Sequence, residues 1–136
     1  MRRLLLACAS VALLGCGGDS TGPAASFEGT WNLQTINGSA LPYTAIFIAS
    51  PLYKLEILSD QVIANADGTF TESAQVRETN GSTVTTSTEG DNGTWVQHGS
   101  QIDLTSASDG TVTTATISGS KLTVNAQGVL GVYTRQ

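Results

Sequence analysis

Apolar and polar residues alternate along most of the chain, in short segments separated by turn residues. Trp31 and Leu33 share one face of the first segment, and Leu122 and Val124 share one face of a later segment. A period of two is typical of a β-strand with one buried face. Threonine, valine and isoleucine dominate these segments, and no window shows a sustained helical period. The pattern therefore predicts an all-β domain.

Turn dipeptides divide the pattern into strands, because both central positions of the favoured hairpin turn need φ > 0 and Asn-Gly or Asp-Gly supplies it. The turn signals are Asn37-Gly38, Asp67-Gly68, Asn80-Gly81, Asn92-Gly93, Gly99-Ser100, Asp109-Gly110 and Gly119-Ser120. The segments between them predict strands over about residues 30–36, 53–65, 69–79, 82–90, 94–98, 101–106, 111–118, 120–125 and 129–135.

Successive strands joined by tight turns form an antiparallel meander. Closing a meander removes its exposed edges, so we expect residues 27–136 to form an up-and-down β-barrel of about eight to ten strands. A β-sandwich is the alternative fold, because the same strands and turns serve both. Residues 43–52, YTAIFIASPL, lack turn chemistry. They are interpreted as a lid over a barrel mouth, a buried strand broken at Pro51, or a short plug helix.

The first 15 residues have the layout of an export signal. Arg2 and Arg3 precede an apolar run from Leu4 to Leu14, followed by small residues. This order is typical of a secretory signal peptide, and the run is shorter than the roughly 20 residues that span a bilayer. Leu13-Leu14-Gly15-Cys16 resembles the lipobox of bacterial lipoproteins. The resemblance implies cleavage before Cys16, diacylation of its thiol, and attachment to the membrane through the acyl chains.

Residues 16–26 are predicted to be the lipidated cysteine and a flexible tether, because they are small, polar and contain proline. The resemblance to lipoproteins, with Asp19 not directly after the cysteine, favours the outer membrane or periplasmic face over the inner membrane. After cleavage, four basic residues stand against eleven acidic ones, a net charge of −7. Such a domain does not attract nucleic acid. Because Cys8 is removed and Cys16 is lipidated, thiolate chemistry and zinc–cysteine sites are not expected.

Gly29-Thr30-Trp31, which opens the first strand, and Val132-Tyr133-Thr134-Arg135, which ends the last, resemble the corresponding parts of lipocalin-like (calycin) barrels. The chain is most similar to small bacterial lipoproteins that carry such a domain. The resemblance implies that Arg135 closes over Trp31. A planar guanidinium can also stack on an indole face for general physical reasons. The other signatures of true lipocalins are not recognisable, so no ligand residues are transferred.

The sequence offers no evident catalytic group or cofactor site. His98 is the only histidine, near Ser100 and Asp103, and it is interpreted as an exposed turn residue and not as a general base or metal ligand. Phe70, Glu72 and Val76 alternate onto one face and are the candidate pocket residues. The expected function is a non-enzymatic, lipid-anchored envelope protein that binds a small apolar or amphiphilic ligand. The alternative is a structural or protein-interaction barrel filled by its own side chains.

Overall fold

The computed structural model describes residues 25–136. The predicted signal peptide, Cys16 and most of the tether lie outside the described residues. The described part contains ten strands and no helix: β1 (Gly29–Ile36), β2 (Ser39–Ala40), β3 (Tyr43–Ala49), β4 (Leu52–Ala64), β5 (Thr69–Asn80), β6 (Thr83–His98), β7 (Gln101–Ser106), β8 (Val112–Ser118), β9 (Lys121–Ala126) and β10 (Val129–Arg135).

Eight of these strands form a closed antiparallel barrel. The hydrogen-bonded order is β1-β10-β9-β8-β7-β6-β5-β4, and β4 returns to β1 through the pairs Gly29↔Ala64 and Trp31↔Val62. The two remaining strands, β2 and β3, lie at the ends of this order. The all-β, up-and-down barrel predicted from the sequence is confirmed. The closing pair excludes the sandwich.

The predicted turn at Asn92-Gly93 is wrong, because β6 runs without interruption through both residues. Gly93 faces Phe70 on β5 and Ser106 on β7. A Cβ atom at this position would lie 2.9 Å from Cε1 of Phe70 and would collide with the carbonyl oxygen of Thr105. Because Gly93 has no side chain, the neighbouring strands and the Phe70 ring can approach β6 closely at this point. Close backbone approach, and not only a turn, is a reason for glycine inside a strand.

The apolar segment 43–52 is neither a buried strand nor a plug helix. Residues 43–49 form strand β3, which pairs along one edge with the first half of β4. The strand ends before Pro51, as one alternative predicted. Its side chains are exposed instead of buried: Phe47 is 63% exposed and Ile48 is 48% exposed.

Part of the sheet extends beyond the barrel. Along β4, only residues 61–64 pair with β1. Along β6, only the part from Gly93 onward pairs with β7. Residues 43–57 and 76–87 therefore pair only with one another within the described sheet. These two ranges are called the flap. Opposite the flap, the barrel end at which β1 begins holds the most deeply buried side chains: Phe27, Trp31, Ile102 and Leu122.

A β-bulge near the base of the flap changes which residues of β4 face the lumen. The pairing register shifts between Ile57 and Ser59. Ile57 lies opposite the buried Val76, and beyond the shift Asp60 lies opposite Ala74. One extra residue reverses the inward and outward alternation of a strand. Asp60 and Val62 consequently face the lumen, whereas simple alternation from Ile57 would direct them outward.

Candidate functional site

Two adjoining cavities occupy the lumen. The barrel cavity, of about 150 Å³, lies between Val62, Phe70 and Leu104. The flap cavity, of about 300 Å³, extends towards the flap between Leu33, Leu55 and Val76. Three residues line both cavities and mark their junction: Glu72, Val124 and Tyr133.

A buried carboxylate lies beside this junction. Asp60 is 7% exposed and lines the flap cavity. The Tyr133 hydroxyl donates a hydrogen bond of 2.6 Å to Oδ2 of Asp60. Oδ1 of Asp60 is buried, and its only possible donor among the described residues is the neighbouring Glu72 carboxyl, which can hydrogen-bond to Asp60 while it is protonated. Once Glu72 is ionised this atom is costly, because a buried acceptor without a donor has lost its water and gained nothing in return.

Glu72 is the second carboxyl group of the junction. It lies opposite Val62, so it is a diagonal neighbour of Asp60 on the lumen side of β4 and β5. Burial, followed by the nearby charge of Asp60, raises the pKa of Glu72 to about 7. Burial also raises the pKa of Asp60, despite the hydrogen bond from Tyr133. The pKa of the Tyr133 phenol is raised by its burial and by the Asp60 charge, so Tyr133 is a hydrogen-bond donor at physiological pH.

The lumen is acidic beyond these two groups. Asp91 of β6 lines the barrel cavity and Glu89 of β6 lines the flap cavity. No lysine, arginine or histidine within residues 25–136 lines either cavity. The flap lysine and arginine are used elsewhere: Lys54 Nζ and Arg77 Nη2 lie 2.7 Å and 2.8 Å from the Glu56 carboxylate oxygens.

The three predicted pocket residues all face the lumen, but not the same part of it. Phe70 lines the barrel cavity, Val76 lines the flap cavity, and Glu72 lies at the junction of the two. Sequence reasoning missed Asp60, because the bulge after Ile57 reverses the alternation of β4. The sequence did contain a signal: the apolar residues of β4 occupy odd-numbered positions at Leu55 and Ile57 but an even-numbered position at Val62.

Trp31 and Arg135 lie together at the opposite end of the barrel. The Arg135 guanidinium carbon lies 4.5 Å from the Trp31 ring centroid. Nη1 of Arg135 donates a hydrogen bond of 2.6 Å to the Glu28 carbonyl, and Nη2 donates another to the Ser26 carbonyl. The arginine thus connects the last strand to the segment that precedes the first.

Aromatic side chains fill the space beneath this arginine. Phe27 is stacked near Trp31, with ring centroids 6.0 Å apart, and meets Trp95 edge-on at 5.3 Å. Nε1 of Trp31 donates a hydrogen bond of 2.8 Å to the Phe27 carbonyl. Nε1 of Trp95 donates one of 3.0 Å to the Thr69 carbonyl. Both tryptophans therefore lie at this end of the barrel, which is called the closed end, and neither of them lines the barrel cavity or the flap cavity.

His98 lies away from the carboxyl groups of the lumen. Its side chain is 65% exposed, and Nε2 lies 4.0 Å from Oδ2 of Asp103. Among residues 25–136, no three histidine, cysteine or acidic side chains are arranged to hold a metal ion. Within the same part of the chain, no helix has the length and apolar character needed to cross a membrane.

The chain matches no protein-family model, no curated protein and no solved structure.

Proposed function

We propose that this protein is a lipid-anchored, lipocalin-like binding protein of the bacterial cell envelope, which holds a small amphiphilic molecule in its barrel without catalysing a reaction. The observation that carries the proposal is the pair of adjoining cavities inside a closed barrel. Small-molecule sites are concave and mostly apolar, with a few polar groups that orient the ligand. The lumen has this character, with apolar walls and carboxyl groups at the junction.

The dimensions of the lumen favour a small ligand. The flap cavity, at about 300 Å³, is at the lower limit of the usual range for ligand sites, and the barrel cavity adds about 150 Å³. The lumen is therefore suited to a single chain or ring with one polar group.

Native mass spectrometry of the purified full chain tests binding directly. A retained adduct of constant mass, removed by unfolding and restored by adding back the extracted molecule, is the expected result. A bare mass, together with an unchanged midpoint of thermal unfolding across a panel of fatty acids, alcohols and amines, would contradict the proposal.

Anchoring rests on the sequence and has its own test. The lipobox-like end of the apolar run supports Cys16 as the acylated residue, and two or more acyl chains would give stable attachment. We expect the wild-type chain to fractionate with membranes and Cys16→Ser to become extractable in buffer. Cys8→Ser is the matched control and should remain with the membrane. Full membrane retention of the Cys16 variant would contradict anchoring through this residue.

A structural or protein-interaction role is the second candidate, because the flap exposes large apolar side chains. Phe47 is 63% exposed and Val84 is 60% exposed. Apolar residues concentrated on one part of a surface are typical of interaction sites. Under this alternative, flap substitutions would abolish co-purification of a specific envelope protein, and the lumen would bind none of the ligands in the panel.

A further inference from the structure

We propose that the ligand of this lumen carries a positively charged group, an amine or quaternary ammonium, held at the junction of the two cavities by Asp60 and Glu72. This inference rests on the proposed binding function and names its ligand class. Three features of the described residues support it: a buried carboxylate that depends on a second carboxyl group for a donor, the distribution of charge around the lumen, and the position of the apolar walls.

The first feature is the incomplete hydrogen bonding of Asp60. Oδ2 accepts the Tyr133 hydrogen bond, whereas the buried Oδ1 has no donor among the described residues other than the neighbouring Glu72 carboxyl, which loses that proton when it ionises. Asp60 lines the flap cavity beside Glu72, and because Oδ1 itself has almost no accessible surface, a ligand would approach the two carboxyl groups through Glu72, which lines both cavities. A buried charged acceptor is normally matched by a donor, and an ammonium N–H supplies both the donor and the opposite charge.

The second feature is the sign of every charged group around the site. Asp60 comes from β4, Glu72 from β5, and Glu89 and Asp91 from β6, and β10 contributes the neutral Tyr133. The lining residues from β1, β7, β8 and β9 are apolar, small or hydroxyl-bearing. With no cation among the lining residues, the lumen repels a fatty acid or a phosphate and attracts a cation.

The third feature is the apolar wall next to the carboxyl groups. Leu33, Ile36, Leu55 and Ile57 line the flap cavity together with Asp60 and Glu72. A cationic group at Asp60 and Glu72 would therefore leave an alkyl or aryl part against these side chains. The carboxyl groups and the apolar wall together fit a cationic amphiphile. They do not fit an inorganic cation, because the described residues form no metal-binding group.

Three probes with the same tail separate charge from hydrophobicity: octylamine, octanol and octanoic acid, titrated calorimetrically into the purified full chain. We expect octylamine to bind about tenfold more tightly than octanol or better, since a charge-assisted hydrogen bond exceeds a neutral one by roughly that amount. Octanoic acid should bind least tightly. Octanoic acid binding as well as octylamine would overturn the inference and leave the proposed function in place. Binding of none of the three would overturn both.

Substitutions identify the groups responsible. Glu72→Gln and Asp60→Asn should each reduce octylamine affinity by about tenfold while leaving octanol affinity unchanged, which also shows that the variant lumen is folded. Glu78→Gln is the matched control, because Glu78 lies on the same strand but lines neither cavity. Unchanged octylamine affinity in both lumen variants would overturn the assignment.

The dependence on pH gives an independent readout. An alkylammonium group stays charged well above pH 8, as a lysine side chain does. Glu72 becomes ionised as the pH rises through about 7, in a field set by Asp60, Glu89, Asp91 and Tyr133. Octylamine affinity should therefore increase between about pH 5.5 and about pH 8, whereas octanol affinity should not. A flat octylamine profile in the wild type would contradict a role for Glu72 ionisation.

Discussion

At the end of the barrel where β1 begins, aromatic and aliphatic side chains fill the lumen, whereas beside the flap carboxyl groups surround open cavities. Phe27 and Trp31 are fully buried at the first end. Asp60 is almost as buried at the second, yet one of its oxygens has no donor among the described residues once Glu72 is ionised. The first arrangement stabilises the fold and the second costs stability. A carboxyl group in a cleft whose pKa is strongly raised by burial and a neighbouring charge, as that of Glu72 is, marks a candidate binding site.

The largest effect is expected from removing the centre of the closed end. Trp31→Ala should lower the free energy of unfolding by about 3–5 kcal/mol, because it removes a fully buried aromatic side chain and leaves a cavity. Urea denaturation of the full chain measures this. Trp31→Phe is the matched control, which keeps most of the ring and loses the hydrogen bond to Phe27, and it should cost clearly less. Equal losses in the two variants would contradict packing as the main contribution.

The sequence predicted the closed end better than the carboxyl groups, for a physical reason. Period-two alternation and turn dipeptides report local backbone geometry, so the strands and the inward direction of Trp31 could be inferred. Glu72 was found because it alternates with Phe70 on an unbulged strand. Asp60 was missed because a bulge depends on packing between strands and leaves only a weak trace in sequence. The continuation of β6 through Gly93 was missed for the same reason.

The cost of the carboxyl groups can be measured by neutralising Glu72. Its pKa of about 7 in the folded protein, against an ordinary value of 4.5, means that the native state retains a proton which the unfolded chain releases. The wild type therefore loses stability relative to Glu72→Gln as the pH rises from about 4.5 to about 7. Above pH 7 the variant should be more stable by up to about 3 kcal/mol, less where solvent screens the charge.

Urea denaturation at about pH 5 and about pH 8 tests this dependence. Glu78→Gln, on the same strand but outside both cavities, controls for the substitution itself. A difference between wild type and Glu72→Gln that does not grow with pH would show that the Glu72 pKa is not raised by folding.

Closure by Arg135 should contribute less than the aromatic side chains beneath it. Arg135→Ala removes the guanidinium from the Trp31 ring and two hydrogen bonds to carbonyls of the preceding segment, and should cost about 1–3 kcal/mol. Arg135→Lys keeps the charge but not the planar, forked donor, so it should recover only part of the loss. Lys121→Ala, at an exposed lysine, is the control. An unchanged unfolding midpoint in Arg135→Ala would contradict closure by this residue.

The smallest effect is expected on the flap, where Phe47 allows a comparison with Phe27 within one residue type. Phe47 is 63% exposed and Phe27 is fully buried. Phe47→Ala should change the free energy of unfolding by no more than about 0.5 kcal/mol, whereas Phe27→Ala should cost about 3–5 kcal/mol. If Phe47→Ala instead costs more than about 1 kcal/mol, and the cost grows with protein concentration, the flap is covered in solution by a second copy of the chain. The flap would then form an interface between two copies of the chain. The apolar side chains would be covered at both ends, by the barrel itself at one end and by the second copy at the other.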